Sequence, residues 1–236
     1  MPFTFAHPAA ILPLKDKRLF NRLALVLGTM APDFEYFLHL KPYEVYGHSF
    51  LGQFFYNLPL VLVIAIIYTY VIKDPMYEYL PTFIKRRFQI TSNRFLDIVS
   101  IKFVVSALIG MFTHLIWDSF THYNGFVVSK VSFLRGAVLL DYPLYKVIQH
   151  GSTLLGFMIL AIYIYKLSKK NAEETKRFMD KVIFFVGMGL LTAVITLGIL
   201  VLSKDLRLGS IVVTTISSSM IALLFFSILE RVRALI

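Results

Sequence analysis

Apolar residues in this chain fall into five long runs separated by short polar stretches, and the length of those runs decides the fold class. Between Phe50 and Ile72 no charged residue appears. A second run covers Phe95 to Phe120, a third Val147 to Leu167, a fourth Val182 to Ser203 and a fifth Leu208 to Leu229. Each is close to the roughly 20 residues that a helix needs to cross bilayer hydrocarbon. Backbone polar groups in lipid must be satisfied within the segment, so each run reads as a helix. The pattern predicts an all-α, polytopic membrane helical bundle with about five spanning helices. Gln53 and Asn57 make the first turns of the first span polar, and Pro59 is expected to kink it. The turn Lys204 to Arg207 is so short that the last two runs form a helical hairpin. Gly187, Gly189, Gly198 and Ser217 to Ser219 offer small surfaces for close helix contact there.

Ahead of the first span, the pattern predicts an amphipathic helical N-terminal part. A helical period runs from Leu19 to Met30, followed by Ala31-Pro32-Asp33-Phe34-Glu35. Pro32 biases Ala31 away from helical angles, so Asp33 is expected to begin a new element as its N-cap. The opening MPFTFAHPAAILPLK has no basic n-region and is broken by His7, Pro8 and Pro13, so it does not read as a cleaved signal peptide. Residues 73 to 94 read as a cytoplasmic loop on the lipid surface. Residues 123 to 145, with Asn124-Gly125 and Tyr142-Pro143 as turn signals, read as a loop. Two parts follow: a membrane-embedded core over 1–170 and a C-terminal hairpin over 171–236.

Composition supports the class: 57% of residues are hydrophobic and 16% are charged. The net charge of +10 comes from Lys and Arg placed in short loops between apolar runs. That arrangement fits anchoring to anionic membrane lipids and excludes a nucleic-acid stripe. Lys73, Lys85 to Arg87, the 166–181 loop, Arg231 and Arg233 place the cytoplasm on the C-terminal side of the first span, and the N-terminus outside. Lys15, Lys17, Arg18 and Arg22 oppose that orientation. With no cysteine, thiolate metal sites and cysteine nucleophiles are excluded.

The strongest chemical signal is Thr113-His114-Leu115-Ile116-Trp117-Asp118-Ser119-Phe120-Thr121-His122. His114, Asp118 and His122 are four residues apart and share a helical face, within reach of one divalent cation. The same spacing also describes a polar helix end at headgroup level. Asp33 in Pro32-Asp33 and His48 in Gly47-His48-Ser49 stand before the first span, and His7 stands near the chain start. Span parity brings all of these to the membrane face that carries His114 and Asp118. Taken singly, Asp33 also reads as a helix cap, His48 as an interfacial histidine and His7 as an ordinary terminal residue. Glu35 reads as a general base or as a solvated acid. His122 reads as an extra ligand, as a donor to a ligand or as a partner for a phosphoryl oxygen, His150 as a residue lining the cleft, Asp141 as a more distant candidate and His39 as structural.

In order along the chain, MPFTFAHPAAILPL, LVLGTMAPDFEYFL, GHSFLGQFFYNLPL, GMFTHLIWDSFTH and PLYKVIQHGSTLLG resemble the successive blocks of the bacterial membrane family DUF4184. The likeness covers about residues 1 to 165. That family is similar to membrane-bound metal-dependent hydrolases of the inner membrane, and remotely to the zinc-dependent phospholipase C fold. The resemblance implies one or two divalent ions, zinc by preference. It assigns Asp33, His48, His114 and Asp118 to one ion, with Asp118 bridging to a second held by His7. The second His-x-x-x-Glu helix that holds the third metal of the phospholipase is missing here.

The expectation is therefore a hydrolase of a lipid, lipid-linked or other phosphoester or ester bond, with Asp33, Asp118 and Glu35 as catalytic carboxylates, one of which takes a proton from the attacking water. The inner membrane would be its location and the extracytoplasmic face its side. Two alternatives stand beside it. One is a non-catalytic membrane protein with a structural metal. The other is an ion carrier, which would need ligands at mid-membrane.

Overall fold

The structure is a computed structural model that describes residues 3–14, 18–88, 94–136, 138–139 and 142–235. Asp141, Lys15 and Lys17 lie outside the described residues. The architecture is all-helical apart from a two-residue antiparallel pairing of Val138–Leu139 with Tyr142–Pro143. Among the described residues, five stretches are long and apolar enough to cross a membrane: Gln53–Tyr79, Ile101–Lys130, Leu144–Lys166, Phe178–Ser203 and Leu208–Arg233. They define an integral membrane protein built as a helical bundle.

Two compact units interleave along the chain. One takes Met1–Asp33, Tyr46–Leu62 and Leu96–Lys166, and the other Phe34–Val45, Val63–Phe95 and Leu167–Ile236. A division at residue 170 would keep 34–45 and 63–95 with the N-terminal part, whereas the compact units group them with the hairpin.

In the first unit, residues Thr4–Ile11 form a 3₁₀ helix that buries His7. The helix Arg22–Met30 begins at Asn21, whose side chain accepts from the Ala24 amide at 3.0 Å. It lies against Ile101–Thr121, and two glycines set how closely. A Cβ at Gly28 would stand 2.2 Å from the Ala107 carbonyl oxygen, and one at Gly110 2.5 Å from that of Leu25. Only a residue without Cβ lets the two backbones approach this far. Ala24, Leu25, Phe103, Ala107 and Met111 fill the contact and are buried.

Pro32 does not break the chain as expected. Ala31 keeps helical angles, φ −58° and ψ −40°, and the backbone passes through a 3₁₀ turn, Ala31–Asp33, into the helix Phe34–His39. The α region is disfavoured before proline without being forbidden. The change from α to 3₁₀ falls at this proline.

The first spanning helix also departs from expectation, running past Ile72 through Asp74 and Pro75 to Tyr79. Both of its prolines follow a widened, π-helical turn, Gln53–Asn57 before Pro59 and Tyr68–Ile72 before Pro75. A proline ring collides with the carbonyl four residues back, here that of Phe55 or Val71, and each lies within a widened turn. The second span begins later than expected. Phe95–Ile98 is a separate turn, and Ser100 caps Ile101–Thr121 by accepting from the Phe103 amide at 3.2 Å. The stretch 123–145, expected as loop, contains short helices over Phe126–Lys130 and Ser132–Gly136.

The second unit holds the hairpin, with Lys204 in a left-handed conformation closing the first arm. Of the small-surface set, Ser217 and Ser218 are buried, while Gly189 and Gly198 are exposed with open space around them. Part of the basic set is engaged within this unit. Lys85 is 1% exposed and donates to Thr175 Oγ1 at 2.6 Å, and Arg87 donates to the Leu167 carbonyl at 3.2 Å. Lys181 pairs with Glu174, Arg231 with Asp74 at 2.6 Å, and Tyr79 donates to Glu230 at 2.6 Å.

Candidate metal centre

Five side chains from four segments of the first unit converge: His7 from the N-terminal 3₁₀ helix, Asp33 from the turn at Pro32, His48 from the loop before the first span, and His114 with Asp118 from the second. His7, Asp33, His114 and Asp118 are buried, and the His48 side chain is 21% exposed. Their ligand atoms form two overlapping groups: His7, His114 and Asp118, and Asp33, His48 and His114. Within each group all of these atoms lie within 4.8 Å of one another.

The spacing has a chemical meaning. His114 Nε2 is 3.2 Å from Asp118 Oδ2 and 3.8 Å from Asp33 Oδ1. His48 Nε2 is 3.3 Å from Asp118 Oδ2, 3.5 Å from Asp33 Oδ1 and 3.2 Å from His114 Nε2. On the other side of the carboxylate, His7 Nε2 is 3.6 Å from Asp118 Oδ1. Ligand atoms about 2.0–2.1 Å from one tetrahedral zinc are about 3.3 Å from one another, which is the separation seen here.

Several atoms of the cluster are unsatisfied. Both ring nitrogens of His7, Asp33 Oδ1 and Asp118 Oδ1 are buried without a hydrogen-bond partner. Leaving such a group unpaired costs on the order of 1–3 kcal/mol. Burial, then the neighbouring His114, drive the His7 imidazole down to about 2, so it is neutral and offers a lone pair. Burial also pushes the Asp33 carboxyl up. A divalent cation would satisfy these atoms and hold both carboxylates ionised, so the donor set fits such an ion.

Neighbouring groups aim the ligands. His114 Nδ1 lies 2.7 Å from the Thr29 carbonyl, which can only accept, so Nδ1 carries the proton and the Nε2 lone pair faces the cluster. Thr4 Oγ1 donates to Asp33 Oδ2 and leaves Oδ1 for the centre. Gln53 Nε2 donates to the Gly47 and Ser49 carbonyls at 2.8 and 2.7 Å, and Asn57 Nδ2 donates to Gly47 at 2.7 Å. These amides, buried in the widened turn, hold the loop that carries His48. The Trp117 ring packs 5.1 Å from the His7 ring and donates to Ser152 Oγ at 3.1 Å.

Three further candidates are placed as follows. His122 ends the second spanning helix in an extended conformation, yet its Nδ1 still reaches 3.4 Å from Asp118 Oδ2. Glu35 is buried, not solvated; it accepts from the Val45 amide at 2.9 Å and lies 3.6 Å from His39, and it joins neither ligand group. His150 is exposed, and the buried polar residue beside it is Gln149.

Sequence reasoning passed over Thr4, Gln53 and Asn57 as supports. For the two amides a signal was present, because two polar residues four apart in an uncharged run mark one helical face.

An all-helical membrane bundle with a buried histidine and carboxylate cluster is the class of protein that fold and site define. The sequence model of DUF4184, a domain of unknown function, matches residues 1–228, and the chain belongs to that family. The match extends past the blocks ending near residue 165 into the C-terminal hairpin. No curated protein and no solved structure matches the chain.

Proposed function

We propose that this chain is a membrane-bound, metal-dependent hydrolase that cleaves a phosphoester or ester bond in a lipid or lipid-linked substrate at the membrane surface. One observation carries the reading: buried nitrogens and carboxylate oxygens of His7, Asp33 and Asp118 without a hydrogen-bond partner stand at ligand spacing in two groups completed by His48 and His114. His7, Asp33, His48, His114 and Asp118 would hold one or two divalent ions, zinc by preference. A bound ion supplies acidity to a coordinated water and steadies negative charge on the substrate oxygen.

The protein's own part is positional. Thr29 and Thr4 fix the tautomer of His114 and the rotamer of Asp33. Asp118 presents one oxygen to His7 and the other to His48, His114 and His122. His48 and His122 are the partly exposed members, so substrate and protons enter past them. The basic loops favour an extracytoplasmic site in a bacterial inner membrane.

A second reading, a structural metal, is favoured by the depth of burial: five protein ligands suffice to close a zinc without a place for water. Elemental analysis of detergent-purified, chelator-free protein separates the readings when paired with phosphodiesterase and esterase assays. About one or two ions per chain, lost in His114→Ala together with chelator-sensitive turnover, supports the hydrolase. Metal without turnover supports the structural site. Native protein that carries no metal overturns both.

A further inference from the structure

Beside the ligand cluster, the first unit carries an apolar groove of about 460 Å³ that shares a wall with the centre. We propose that this groove seats one acyl chain of a membrane lipid and so holds the headgroup end of that lipid at the metal centre, which makes the substrate an acyl lipid. The word substrate rests on the hydrolase reading, although the seat itself can be tested without catalysis.

The sequence builds most of the groove from one face of the second span. Thr113, Ile116, Trp117, Phe120 and Thr121 line it, at the i, i+3, i+4, i+7, i+8 positions of a helical stripe. Ala10 of the N-terminal 3₁₀ helix and Ile148 of Leu144–Lys166 complete the lining. The stretch from Thr113 to Thr121 is about 12 Å of helix, an extent that suits a chain lying lengthwise. Every polar side chain of the lining is spent inside the protein. Thr113 Oγ1 donates to the Gly110 carbonyl at 2.7 Å, Thr121 Oγ1 to the Trp117 carbonyl at 3.3 Å, and Trp117 Nε1 to Ser152 Oγ at 3.1 Å. Such a lining admits hydrocarbon and rejects a polar ligand, whose groups would go unpaired. Ile116 and Phe120 are exposed on a helix long and apolar enough to cross the membrane, so the groove is continuous with the surface that faces lipid. The medium there is acyl chain. Leaving the groove empty forfeits dispersion contacts along its wall, which a flexible chain restores.

Trp117 joins groove to centre. Its ring lies 5.1 Å from the His7 ring, and His7 Nε2 is 3.6 Å from Asp118 Oδ1. A Cβ at Gly156 would stand 3.5 Å from the Trp117 ring and 3.1 Å from Ala6, so the third span holds that ring from behind. A second contact lies at Thr121, whose Oγ1 is 3.3 Å from His122 Nδ1, itself 3.4 Å from Asp118 Oδ2. His122 is a partly exposed member of the centre, so the groove meets the centre on its open side. Lipid tails are as apolar as leucine, so a chain gains no hydrophobic energy by leaving the bilayer for the groove. What the groove supplies is position, by fixing where the headgroup end of the chain stands.

Trp117 is the only tryptophan in the chain, so its fluorescence reports on the groove alone. The test is titration of the full-length protein, as purified in a steroid detergent that has no alkyl chain, with phosphatidylcholine brominated on its acyl chains. Native protein, Ala10→Phe and Ile148→Phe are compared, with metal content and thermal midpoint recorded on each. In native protein, quenching is expected to level off near equimolar lipid and to be relieved by the unbrominated lipid. Filling the groove from either residue should weaken the lipid about tenfold to a hundredfold at unchanged metal content, the effect of overpacking an occupied site.

Quenching that climbs in proportion to lipid without levelling off is contact with surrounding lipid and overturns the seat. Quenching that both folded fillers leave unaltered does the same. Native fluorescence that no brominated lipid quenches also overturns it, because protein or a chain of another kind then covers the groove. If neither filler folds, saturation and its relief in native protein still decide. Filler-sensitive quenching without phospholipid turnover keeps the seat and removes the hydrolase, whereas phospholipid turnover that ignores both fillers keeps the hydrolase and removes the seat.

Discussion

His114 shows how one side chain can be committed by its partners. Its Nδ1 proton goes to the Thr29 carbonyl, and the remaining nitrogen faces two carboxylates. Thr4 acts on Asp33 in the same way from the opposite side. Thr4→Val keeps the shape and removes the donor, leaving Asp33 Oδ2 without its partner. Outer partners of ligands are typically worth tenfold to a hundredfold in metal affinity, so Thr4→Val should weaken binding by about that factor. A competition titration against a chromophoric chelator reads the change. An affinity equal to native would mean that Asp33 is not a ligand.

At the scale of elements, the widened turn Gln53–Asn57 does two jobs. It makes room for Pro59, and its amides clamp the loop that carries His48. Asn57→Leu removes the donor to Gly47 and should lower metal affinity while leaving helix content by circular dichroism as it was; an unaltered affinity would show that the His48 loop is held elsewhere. The crossing of Arg22–Met30 on Ile101–Thr121 makes a different demand. A side chain at Gly110 must push two backbones apart, a cost on the order of 1–3 kcal/mol or more. Gly110→Val should lower the thermal midpoint in detergent and shed metal together, because Thr29 and His114 sit on the two helices concerned. A fall in stability with full metal content would uncouple crossing from centre.

For the whole molecule, a single labelling position reports the side of the membrane that the candidate centre faces. Ser49 is exposed beside His48. Ser49→Cys is the only cysteine in a chain that has none, so an impermeant thiol reagent on intact cells reports its side directly. Labelling before lysis is expected, and labelling only after lysis would put the centre in the cytoplasm. Lys85, Arg87, Lys181 and Arg231 are engaged within the second unit. A paired cation has a structural task besides any role in topology.

Spans and candidate ligands were legible for separate reasons. Lipid tolerates only long, internally bonded apolar helices, so composition and run length sufficed for the five spans and the all-α class. His114 and Asp118 were readable as a pair because helical spacing is local. His7, Asp33 and His48 needed the family likeness to join them, since nothing local links segments so far apart in sequence. What only the tertiary structure decided was geometry across those segments: the 3.2–3.8 Å approaches at Asp118 and His114, the carbonyl that sets the His114 tautomer, and the burial of Glu35. It also decided that Pro32 and Pro75 are passed without a break. The physical reason is the same for each: a local pattern reports periodicity and propensity, whereas ligand distance, desolvation and relief of proline strain depend on atoms brought near by packing.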